Sequence, residues 1–123
     1  MRAPRTTVFL MLVLLQISPA GAGKADVVDM SMSPQADGSY HFDVTVRHAD
    51  TGWKHYADKW EILAPDGTVL ATRTLAHPHV REQPFTRYLD DVRIPADVKK
   101  VRLRAHDKVH GFGGKEVIAD VPR

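Results

Sequence analysis

The chain has 123 residues with 17 Lys+Arg against 15 Asp+Glu, seven histidines and no cysteine. Without cysteine it forms no disulfide and offers no thiol to a metal or a lipid anchor, so packing must stabilise it. Leaving out Arg2, Arg5 and Lys24 gives 14 basic against 15 acidic residues, a balance that argues against nucleic acid or an anionic membrane surface as a partner.

Residues 1–25 have the layout of a secretory signal peptide. Arg2 and Arg5 precede the uncharged run TTVFLMLVLLQI, and the small residues of SPAGAGKA follow, with candidate cleavage after Ala20, Ala22 or Ala25. The run is shorter than the about 20 apolar residues that span a bilayer, and no second one follows. The expectation is a periplasmic or secreted location, a single domain over 26–123 and no transmembrane segment in the mature chain.

From residue 26 the pattern is of short strands divided by turns, with no helix-length amphipathic segment. A first strand over 26–33 carries Met30 and Met32 in alternation. These thioethers suit Cu(I), but the same spacing places both on a core face. The second, 39–48, is the most regular: Tyr40, Phe42, Val44 and Val46 share one face, and His41, Asp43, Thr45 and Arg47 the other. In the third, 56–64, Tyr56, Trp60 and Ile62 share a phase, and Pro65-Asp66-Gly67 turns the chain into a fourth over 68–75. A fifth over 85–90, with Asp90-Asp91 read as a turn, a sixth over 98–106 and a seventh over 115–121 complete the set. Seven strands at this spacing predict an all-β, immunoglobulin- or fibronectin-III-like sandwich with Trp60 in the core, the alternative being a small barrel.

In such a sandwich the second-to-third, fourth-to-fifth and sixth-to-seventh connections emerge at one end. His48, His55, His77, His79, His106 and His110 all fall there, and only His41 lies low on a strand. Neutral imidazoles are common ligands of Zn and Cu, often joined by a carboxylate, and Asp50, Glu82 and Asp107 stand in the same loops. The candidate metal set is His77, His79, His106 and His110. Strand phase puts His55 and His106 on the solvent side and His77 and His79 inward, so two smaller groups are expected rather than one. His77-Pro78-His79 equally fits a cap on the core whose imidazoles bond to backbone. His48, Trp53, His55, Tyr56, Glu82 and Phe112 make a candidate recognition surface for a ligand or partner.

HGFGGK, residues 110–115, opens no helix and reads as a hairpin turn rather than a phosphate loop. Ser31, Ser33 and Ser39 fall at the end away from the histidines, and no cysteine nucleophile exists, so no catalytic residues are assigned. The stretches TGWKHYADKWEILAPDG, HPHVREQPFTRYL and HDKVHGFGG look like small, functionally uncharacterised secreted proteins of proteobacteria. That resemblance implies a periplasmic location and an Ig-like domain and brings no catalytic residues. The chain also resembles periplasmic copper carriers in being a small β-sandwich rich in His and Met, though their usual N-terminal histidine is absent. The expectation is a non-enzymatic binding module with a histidine-rich loop pole for a protein or small-ligand partner, or alternatively a periplasmic Cu or Zn carrier.

Overall fold

The computed structural model describes residues 23–123. Most of the predicted leader, with its cleavage points after Ala20 and Ala22, lies outside the described residues. Seven strands follow one another: β1 (Asp26–Pro34), β2 (Tyr40–Arg47), β3 (Ala57–Leu63), β4 (Val69–Thr74), β5 (Phe85–Val92), β6 (Lys100–Asp107) and β7 (Val117–Asp120). They form two antiparallel sheets, ordered β1-β2-β5 and β4-β3-β6-β7. This is the β-sandwich expected from the strand spacing. Among the described residues no helix is long and apolar enough to cross a membrane.

Two strands show why the sequence folds this way. On β2, Tyr40, Phe42, Val44 and Val46 are buried and alternate with partly exposed His41, Asp43 and Thr45. On β6, Val101, Leu103 and Ala105 do the same against Arg102, Arg104 and His106. The inward side chains close on Trp60, Ile62 and Phe85 in one core, with Met30 and Met32 packed partly buried against it as their alternation predicted. Removing apolar surface from water in this way is the main stabilising term in a chain without cross-links.

Two of the four register shifts in the sheets bear on the sequence reading and the site. The pair Asp90-Asp91 suggests a turn, but β5 continues through it to Val92, which is buried and pairs with Tyr40. The strand accommodates the extra residue as a bulge, with Asp91 at φ 60°. The second bulge lies between Ala57 and Lys59, where β3 pairs with β6, so Ala57 faces Asp107 while Lys59 faces His106.

The first described residues pack into the sandwich. Ala25 is fully buried in the core, one residue before the predicted boundary at 26. Beyond it, Val27 N–H donates to Lys115 O at 2.9 Å and Lys115 N–H to Asp26 Oδ1 at 2.7 Å. Gly114 lies so close to this segment that a Cβ there would collide with the Ala25 carbonyl. The N-terminal residues thus brace the β6–β7 connection.

Candidate metal centre

The inward phases of β2 and β6 each run one step past the apolar residues and end on a polar group. After Val46 the next inward position is His48, and after Ala105 it is Asp107; both side chains are fully buried. The β2–β3 loop returns His55 to the same place, pinned by a short bridge to Gly52. Three ligand atoms, one each from His48, His55 and Asp107, lie within 4.8 Å of one another.

The spacing is that of ligands around one small ion. His48 Nε2 and His55 Nε2 stand 3.2 Å apart, His55 Nε2 is 3.0 Å from Asp107 Oδ2, and His48 Nε2 is 3.8 Å from it. Metal bonds of about 2.0–2.1 Å at the tetrahedral angle put ligand atoms about 3.3 Å apart. His110 stands at the rim, its Nδ1 3.1 Å from Asp107 Oδ2 and its side chain 34% exposed.

A supporting layer fixes the first imidazole. Asp50 Oδ1 lies 2.6 Å from His48 Nδ1. A carboxylate can only accept, so Nδ1 carries a proton and Nε2 is the ring nitrogen turned to the centre. Asp50 is held in turn by Ala57 N–H at 3.0 Å and His79 N–H at 2.7 Å, and the His48 N–H donates to Gln83 Oε1 at 2.9 Å. All three loops therefore converge on the site.

Asp107 shows an imbalance that bears on chemistry. Its Oδ2 accepts from Val109 N–H at 3.1 Å, His110 N–H at 3.0 Å and the His55 and His110 rings, whereas its Oδ1 is buried with no hydrogen-bond partner. Burial alone would raise its pKa, but the His110 and Val109 backbone donors, the His110 ring and the nearby His48 outweigh that and hold it below the usual carboxylate value. An ionised, buried carboxylate whose Oδ2 faces two imidazole Nε2 atoms and whose Oδ1 has no partner is a cation-binding arrangement.

The structure gives the four histidines of the predicted metal set three different surroundings. His110 joins the cluster. His106 points to the outer face of the four-stranded sheet, with Nδ1 2.6 Å from Asp58 Oδ1 and its ring edge-on to Phe112. His79 is buried and stacked on Phe85 at 4.0 Å, its two ring nitrogens without partners, and exposed His77 sits beside it at 4.7 Å. The backbone cap expected for these imidazoles is made by His77, whose Nδ1 donates to Pro78 O at 3.0 Å, but not by His79.

The expected division of the pole histidines occurs with a different membership. His55 does not pair with His106: β6 alternates regularly, so His106 faces outward as expected and Asp107 inward, whereas His55, ahead of the bulge in β3, turns inward to Asp107 instead of outward. Of the candidate recognition residues, His48 and His55 belong to the cluster and Tyr56 is buried, edge-on to Trp53. Trp53 is exposed, Glu82 is exposed and paired with Arg87 at 3.0 Å, and Phe112 is clamped under Arg104 at 3.8 Å. Asp50 and Asp107 complete the site. Asp107 was marked by the inward phase of β6, but nothing in the local sequence distinguishes Asp50 from Glu82.

No family model and no solved structure matches the chain. One curated protein does: a protein of the archaeon Halomicrobium mukohataei described as "Putative lipoprotein", 35% identical over 97 residues, which are 79% of this chain and 47% of that protein. The chain thus spans about half the length of the curated relative it matches. That relative is archaeal, whereas the sequence motifs lead to an expectation of proteobacterial proteins.

Proposed function

We propose that the protein binds a divalent transition-metal ion, Zn(II) or Cu(II), outside the cytoplasm, through His48, His55 and Asp107 with His110 as the fourth ligand. The observation that carries this reading is the buried Asp107 carboxylate, one oxygen unpartnered, beside two Nε2 atoms 3.2 Å apart. Two imidazoles and a carboxylate suit Zn and Cu(II) rather than Ca or Mg, which prefer oxygen alone. The ion would take the place of the protons now shared among His55, His110 and Asp107, so binding releases protons.

With His110 in the fourth position no coordination site stays open for a substrate, and the role is carriage or storage rather than catalysis. The basic, apolar and small-residue order of residues 1–25 and the description of the archaeal relative as a lipoprotein both favour export. Titration calorimetry of the metal-free protein with Zn(II) and Cu(II) tests the proposal. Binding tighter than about micromolar that His48→Ala and Asp107→Ala abolish is expected; nothing tighter than about millimolar for either ion would refute it.

A further inference from the structure

The loops that build the site also share a surface feature. Among the described residues the large hydrophobic side chains exposed outside strands are Trp53 at 65%, Val80 at 54% and Val109 at 58%, one in each of the β2–β3, β4–β5 and β6–β7 loops. Each adjoins an exposed basic residue, in the pairs Trp53-Lys54, Val80-Arg81 and Lys108-Val109. Trp53 is propped outward by Tyr56, edge-on at 5.7 Å, and Lys108 Nζ lies 5.8 Å from the same Tyr56 ring, which ties two of the tips together.

The carboxylates of these loops do not offset the cations. Asp50 and Asp107 are buried, Glu82 is paired with Arg87 at 3.0 Å and Glu116 with Arg102 at 2.8 Å. Among the described residues Lys54, Arg81 and Lys108 have no carboxylate partner. The turns of the opposite end mix signs instead: exposed Asp37 is paired with Arg93 at 3.1 Å, and exposed Asp66 and Asp97 stand with exposed Lys99. The near-neutral total therefore conceals a cluster of unpaired exposed cations at one pole.

We propose that this pole docks on an anionic lipid surface, with Trp53, Val80 and Val109 entering the interfacial zone and Lys54, Arg81 and Lys108 meeting the headgroup phosphates. Three separate tips, each one apolar side chain and one cation, suit a fluid plane that takes each independently; a protein partner would need a continuous complementary patch. An indole beside a lysine is favoured at the headgroup level, where the ring and the cation find compatible surroundings. This inference does not depend on the metal reading.

Co-sedimentation of the purified protein with phosphatidylcholine vesicles, with and without phosphatidylglycerol, tests it. Binding should require phosphatidylglycerol, weaken with salt, and fall about fivefold for each of Lys54→Gln and Lys108→Gln. Lys99→Gln, at the opposite end, should change nothing. Trp53 fluorescence should shift to the blue on binding, against the constant background of buried Trp60. Absence of phosphatidylglycerol-dependent binding would overturn the proposal, as would equal losses in the Lys99→Gln protein. Capture of an acidic protein without vesicle binding would reassign the surface to a protein partner.

Discussion

Asp50 grips His48 from behind: its Oδ1 lies 2.6 Å from His48 Nδ1, while its other oxygen accepts the His79 N–H at 2.7 Å. One buried carboxylate thereby sets the direction of a ligand and fastens the β4–β5 loop to the β2–β3 loop. Replacing Asp50 with Asn, which keeps the shape but loses the charge, should weaken Zn(II) or Cu(II) binding about 10–100-fold. Calorimetry should show the loss while circular dichroism shows an intact sandwich; unchanged affinity would mean that His48 is not oriented through Asp50.

Metal should also stabilise the fold. A ligand that binds only the native state adds about 2.7 kcal/mol when its free concentration is 100 times Kd. A domain of this size gains about 4–8 °C in Tm for each kcal/mol. Thermal denaturation should therefore shift upward by about 10 °C or more with saturating ion and return on adding chelator. The His48→Ala protein should show no shift.

His79 should make the domain acid-sensitive. Burial, reinforced by Arg87 and His77, lowers its pKa, and neither ring nitrogen has a hydrogen-bond partner. The unfolded chain therefore takes up a proton that the folded state resists. The contribution of neutral His79 is complete above the ordinary histidine value of 6.5 and is lost as pH falls from there toward the lowered folded value. His79→Phe, stacked on Phe85 in the same place, should raise stability at pH 7 by about 1 kcal/mol and flatten its decline between about pH 6.5 and 5. Urea denaturation across that range would measure both effects, and parallel wild-type and variant profiles would count against this role.

Gly114 should tolerate no side chain. Its Cβ would meet the Ala25 carbonyl oxygen, so Gly114→Ala must push the N-terminal segment from the β6–β7 loop. A cost of about 1–3 kcal/mol in chemical denaturation is expected, by analogy with overpacked cores. Faster amide exchange at Val27, whose N–H donates to Lys115 O, should accompany it.

The fold was legible in the sequence because β2 and β6 alternate without interruption, and turn residues separate the strands. The site was legible only in part. His48 and Asp107 extend those alternations, so their inward direction could be read from the pattern. The bulge between Ala57 and Lys59 could not: Tyr56, Trp60 and Ile62 keep one parity across it, and the pattern gives no sign of the slip that parts His55 from His106. Nor does composition separate Asp50, buried under two loops, from Glu82, exposed beside Arg87, because loop conformation decides that difference. A summed charge likewise says nothing of where unpaired cations gather.

The bulge after Ala57 carries a lesson for comparing distant sequences. It absorbs one residue between His55 and Trp60, so that a histidine, a core tryptophan and the carboxylate at Asp107 can all be satisfied on one strand pair. Segment length there matters as much as residue identity. A relative that keeps every histidine but drops one residue between His55 and Trp60 would align well yet lose the convergence, whereas one with the same spacing and different neighbours could retain it.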